Sequence, residues 1–356
     1  MVARFSLGAR WALAGAFALS SGACRKPAPD EVVYTGRTMA PKTPPVPPVG
    51  TGGTGGTGGA GGSTTSGSGG TGGAGAAGRA GDAGAGGSGG ASGADPTTPF
   101  SKAALLAAVA DCALDRYREF RDVAALLDDK ARASASSGMA PELAAVREAW
   151  LVAMKKWQEV ELFRFGPMAR STDPGGKDLR DQIDGWPLVS RCAIEERLVS
   201  QAYGDPDFGR SLINVRGLAA FEYAAFYEGS DNACSAFSTI NAHGTWAALG
   251  ADEIVRRKAG YAAAVSRDVL THANDLVARW APMEGNFRAE LAGAGQQSAT
   301  YASEQKALNA VSDALFFIEQ EAKDWKLGRP LGLGDCANPT CPEAVESPYA
   351  RQSTAH

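Results

Sequence analysis

The run PELAAVREAWLVAMKKWQEVELFRF, residues 141–165, decides the fold class. Val146, Trp150, Ala153, Trp157 and Val160 recur at alternating steps of four and three, which puts them on one stripe of a helix. Pro141 suits the first helical turn, where no backbone N–H is needed, and Gly166-Pro167 stops the element. The same spacing predicts a helix over Ser101 to Leu127, with Leu105, Val109, Cys112, Arg116 and Phe120 along it. Further helices are predicted over Cys192 to Gln201, Ser211 to Tyr227 and Thr245 to Trp280. A last one, Tyr301 to Trp325, carries Leu308, Val311, Leu315, Ile318 and Trp325. Loops rich in turn residues separate these segments, among them Asp173-Pro174-Gly175-Gly176 and Asp184-Gly185-Trp186-Pro187. No stretch sustains the period-two alternation of a sheet, so the expected fold is all-α, a helical bundle architecture.

Upstream of residue 100 the chain reads differently. Arg4 and Arg10 precede an apolar run from Trp11 to Leu19, the pattern of a signal peptide over residues 1–23, too short to span a membrane stably. Small residues lead to Cys24, which would carry lipid after cleavage; the usual leucine three positions earlier is Ser21 here, and plain secretion after Ala23 is the alternative. Arg25 in place of aspartate is similar to lipoproteins retained at the outer membrane. Residues 24–96 are first proline-rich, then a Gly-Gly-Thr and Gly-Gly-Ala tract from Gly50 to Gly93. Such a segment has little apolar surface to offset the backbone entropy lost on ordering, and reads as a flexible tether. Residues 100–356 are the folded domain.

A formal net charge of -4 speaks against a nucleic-acid partner. Of six cysteines, Cys24 is the lipidation candidate. In an exported chain the other five suggest two bridges and one cysteine left over, with Cys192–Cys234 and Cys336–Cys341 the candidate pairs.

The most informative polar residue is Glu222. Leu212, Val215, Ala219, Glu222 and Phe226 form one stripe of the predicted helix, which turns a carboxylate toward the core. Burying it unpaired costs several kcal/mol, so it needs a partner. That partner is either a cation such as Arg216, with a purely structural role, or a metal ion shared with Glu161 from the preceding helix. Asp184 and Trp186 sit in a loop that an aromatic anchor would pin, with Asp184 free to accept backbone or metal contacts. The three histidines, His243, His272 and His356, form no HExxH, and no GxSxG elbow is present.

Several runs together resemble the imelysin family: Trp157-Gln158-Glu159-Val160-Glu161-Leu162-Phe163-Arg164-Phe165-Gly166-Pro167, Asp184-Gly185-Trp186-Pro187, Arg216-Gly217-Leu218-Ala219-Ala220-Phe221-Glu222-Tyr223 and Asp324-Trp325-Lys326-Leu327-Gly328-Arg329-Pro330-Leu331-Gly332. Their order agrees over Lys102 to Ala350. The resemblance implies two helical bundle-like halves in a periplasmic or outer-membrane protein linked to iron uptake, in a family first described as metallopeptidases. Its signature, Gly-x-His-x-x-Glu, falls on Gly217, Ala219 and Glu222, so alanine stands where the family has histidine. The match at Val345 to Ala350 resembles a point well before the end of the family domain. An incomplete second bundle is therefore expected, with apolar faces that a homodimer would cover.

The function expected from these readings is a non-catalytic lipoprotein of the cell envelope, at the outer membrane or else secreted or periplasmic. It would bind a metal ion, iron or zinc, or an envelope protein partner, with the membrane reached through its lipid. A zinc-dependent peptidase and a ligand-free scaffold or adhesion module are the alternatives.

Overall fold

Helix α2, Ala140–Val160, buries Val146, Trp150, Ala153, Trp157 and Val160, each at most 2% exposed. This is the stripe its spacing predicts. The computed structural model describes residues 100–137, 140–333 and 344–351. The signal peptide, the tether, Cys24, Cys336, Cys341 and His356 lie outside them.

Helix α1 runs Lys102–Ser137, past the predicted stop at Leu127. Its buried line is Leu106, Ala110, Ala113, Tyr117, Phe120, Ala124 and Leu127, one residue out of register with a line started at Leu105, which is half-exposed. Packing against α2 and α7 decides that register, because the core takes the large ring of Tyr117 and leaves Arg116 at the edge with Glu119 and Glu159. Aromatic side chains link the elements: Phe120 meets Trp157 at 5.2 Å between ring centroids, and Tyr117 meets Trp280 at 5.2 Å.

The short helices α3, Leu179–Ile183, and α4, Arg191–Ser200, follow. Ser190 caps α4 by accepting from the Ala193 amide at 3.3 Å. The continuous helix predicted over Ser211 to Tyr227 is broken. Ile213–Val215 is a single 3₁₀ turn, and α5 spans only Gly217–Phe226. Gly217 causes the break: its φ is +81°, and a Cβ there would stand 2.8 Å from the Ile183 carbonyl oxygen and the Gly185 nitrogen. The backbone of the Asp184 loop crosses at this point and forms an antiparallel bridge between Asp184 and Gly217.

After α6, Thr239–Ala242, the long α7 covers Gly250–Trp280 rather than starting at Thr245, because Gly250 takes φ +73°. Asp252 and Glu253 in its first turn and Arg279 in its last complement the helix dipole. Helices α8, Phe287–Ala292, and α9, Glu304–Ala314, complete the series. The helix predicted to continue to Trp325 instead widens into a π-type stretch, Ile318–Gly328. Its i→i+5 bonding shifts the inward positions to Phe317, Glu321 and Lys326, while Leu315 and Ile318 are exposed. Among the described residues there are no strands, and no helix is long and apolar enough to cross a membrane.

Candidate functional site

Because the Asp184 loop is pinned to Gly217, it lies beside the first two turns of α5, which carry Ala219 and Glu222. The result is a cavity of about 260 Å³ lined by Trp186, Ala219, Glu222, Tyr223, Arg329 and Tyr349, among others. A larger cavity of about 380 Å³, lined by Arg164, Arg180, Tyr301 and Glu321 among others, contains none of the signature residues Gly217, Ala219 and Glu222.

Glu222 is 1% exposed. Its Oε1 accepts hydrogen bonds from the amides of Tyr349 and Ala350 at 2.7 and 2.8 Å, and Oε2 has no partner among the described residues. Burial pushes its carboxyl up to about 8; the two amides pull it down, and the charges of Asp184 and Glu346 add to the rise. The pairing of Glu222 with Arg216 that the sequence left open does not form. Arg216 caps the break before α5 and turns away: it donates to Asp268 at 2.8 Å, to the Ser211 carbonyl at 2.8 Å and to Gln182, and lies 3.3 Å from His272 Nε2. His272 therefore belongs to that ion pair, and His243 is exposed at the end of α6.

Glu161 sits just past the end of α2 with no exposed surface. The structure places Lys326, not Glu222, against it. The Lys326 ammonium lies 2.5 Å from Glu161 Oε1 and 2.7 Å from Glu346 Oε1. Burial and the Glu346 charge raise the Glu161 carboxyl, opposed by the ammonium and by Arg180. Asp184 is raised by burial as well, with Arg180 the main opposing charge, and its Oδ1 accepts from the Trp186 amide at 3.3 Å. Arg180 itself spans Asp181, Glu321 and the Trp186 carbonyl.

Another buried acid, Glu195 on α4, lies behind the pocket residues Arg191 and Tyr223. It accepts from Arg191 at 2.7 Å, the Tyr223 hydroxyl at 2.7 Å and the Ala233 amide at 2.7 Å. Cys192 and Cys234 form a disulfide that ties the loop after α5 to α4, and Cys112 is also disulfide-bonded. Lys326, Glu346, Arg180 and Glu195 were not singled out from sequence. The detectable signal was a lysine between Trp325 and Leu327, in a run the family resemblance already included.

The donor set does not fit a firmly held zinc or iron ion. Ala219 has no ligand atom, Glu222 Oε1 is committed to two amides, and Glu161 faces an ammonium. Among the described residues, the one cluster with metal-like spacing is Cys192, Glu196 and Cys234, and its two sulfurs are joined to each other.

The imelysin family model matches residues 113–356. The chain belongs to the imelysin family. Its fold is similar to that of a candidate iron-regulated protein A precursor from Parabacteroides distasonis ATCC 8503, known from a crystal structure. The TM-score is 0.53 at 19% identity, over 72% of this chain and 71% of that one. No curated protein matches the sequence. Within the imelysin frame, the alanine at the signature histidine position opens onto the cavity, and the signature glutamate forms its wall.

Proposed function

We propose that this imelysin-family chain is a non-catalytic binding protein of the cell envelope, anchored through Cys24 and working in iron handling, whose pocket receives a group from a partner protein. The observation that carries this reading is the cavity over Ala219: it is walled by Trp186, Tyr223 and Tyr349, and its buried carboxyl is already held by backbone amides. Aromatic walls around a buried polar group suit recognition of an inserted side chain. The iron connection draws on the family resemblance and on the name of the Parabacteroides fold neighbour. A peptidase reading is disfavoured because Ala219 supplies neither a ligand nor a base at the position where the family pattern has histidine.

Calorimetric titration of zinc and ferrous ions into wild type and Glu222→Gln is expected to give no heat that depends on Glu222. Ala219→Trp, which fills the pocket, is expected to impair growth on limiting iron as a deletion does while the protein still reaches the envelope. Tight metal binding abolished by Glu222→Gln, or chelator-sensitive cleavage of unfolded protein that requires Glu222, would overturn the proposal.

A further inference from the structure

The side chains beside the pocket carry a separate conclusion, one that holds whatever the pocket receives. Lys326 has no exposed surface, and its ammonium lies between Glu161 and Glu346 at 2.5 and 2.7 Å. The Phe317 ring is 5.1 Å from it and the Trp186 ring 5.6 Å, so aromatic faces shield it where the carboxylates do not. The π-type winding of Ile318–Gly328 delivers it there, since Glu321 and Lys326 turn inward together and Glu321 takes Arg164 and Arg180. Two buried carboxylates facing one another are unstable unless a cation or a proton lies between them.

We infer that the Lys326 ammonium is the resident cation of this carboxylate cluster, a side chain standing where a bound metal ion would otherwise bridge Glu161 and Glu346. The ammonium brings a fixed positive charge and three N–H donors, without a requirement for nitrogen or sulfur ligands that this cluster lacks. Among the described residues, the buried oxygens Glu161 Oε2 and Asp184 Oδ2 have no hydrogen-bond partner, and Glu346 Oε1 meets the ammonium as an ion pair without hydrogen-bond geometry, so a single ammonium leaves carboxylate oxygens unsatisfied. This cluster thereby needs no metal ion to neutralise it. Trp186 carries the consequence to the pocket: it lines the cavity while its ring faces the ammonium, so the charge that neutralises the acids also fixes a pocket wall.

The test uses the full chain in three forms: wild type, Lys326→Met, and Lys326→Met combined with Glu161→Gln. Metal content after purification and the thermal midpoint with chelator, Zn²⁺ or Mn²⁺ are measured for each. Wild type is expected to carry no stoichiometric metal and to melt at the same temperature in all three conditions. Lys326→Met is expected to melt lower and to regain part of the loss with divalent cation. The double variant, which removes both members of the pair, is expected to melt above Lys326→Met and to ignore added cation. Should Lys326→Met not fold, a folded double variant together with metal-free wild type supports the assignment. Wild type with one tightly held ion per chain, released by Glu161→Gln, overturns it. So does a Lys326→Met protein as stable as wild type in chelator.

Discussion

One oxygen of Glu222 is fixed by two backbone amides and the other has no partner among the described residues, and burial, which outweighs those amides, sets how the residue titrates. Its carboxyl is raised from the ordinary 4.5 to about 8, so the folded chain holds a proton that the unfolded chain releases. The stabilisation from that proton is complete below the unfolded value and is lost as pH rises through the folded one. Across this window the slope is at most about 1.4 kcal/mol per pH unit. Glu222→Gln retains an acceptor for the amides and has no proton to lose. Its stability, followed by urea midpoints, is expected to fall less than that of wild type between about pH 5 and about pH 9, so that it becomes the more stable protein at the alkaline end. Parallel profiles for the two proteins would show that Glu222 is ionised in the fold. At this scale the burial of Glu222 was expected for the wrong reason: of the stripe that pointed to it, Leu212 is exposed and lies before the break, Ala219 and Phe226 are half-buried, and Glu222 is covered because α5 is buried on nearly every side. Nor was its partner legible: Tyr349 and Ala350 lie far along the chain, and no local pattern reports which distant backbone closes over a side chain.

At the scale of elements, a single glycine assembles the site. Gly217 ends the 3₁₀ turn, starts α5 and lets the Asp184 loop approach within bonding distance of its backbone. Gly217→Ala places a methyl group against the Ile183 carbonyl in a left-handed conformation. It is expected to cost about 1–3 kcal/mol, read as a lowered thermal midpoint, and to displace Trp186 from the pocket wall, read by its fluorescence. A variant as stable as wild type with unchanged fluorescence would show that the bridge is not what holds the loop. The inward stripe of α2 was read correctly because its five expected residues share one uninterrupted 3.6-residue period and all of them are apolar, whereas the helix ends at Val160, short of the Gly166-Pro167 stop the sequence suggested. The stretch after α9 was misread for the complementary reason. Leu315 and Ile318 fit the same period, but the chain winds there with i→i+5 bonding and turns Lys326 inward instead.

For the whole domain, the disulfide between Cys192 and Cys234 spans a sequence separation of 42 and holds down the loop after α5. That loop provides the Tyr227 and Gly229 carbonyls that receive Lys258, as well as Asp231, which receives Arg191. Replacing both cysteines by alanine is expected to cost about 2–4 kcal/mol in denaturant unfolding and to speed amide exchange around Ala233, whose N–H bonds Glu195. Unchanged exchange there would mean that the ion pairs alone hold the loop. By itself the sequence determined the all-α class, the inward stripe of α2 and the family. Each depends on short-range periodicity or on motifs that a chain displays before it folds. Only the tertiary structure decided that Arg216 goes to Asp268, that Lys326 claims Glu161, and that Ala219 leaves a cavity. Those pairings join residues far apart in the chain, and several cations and carboxylates compete for one another. Which pair forms depends on where the backbone crosses at Gly217 and how it winds before Gly328, geometry that appears only once the core has packed.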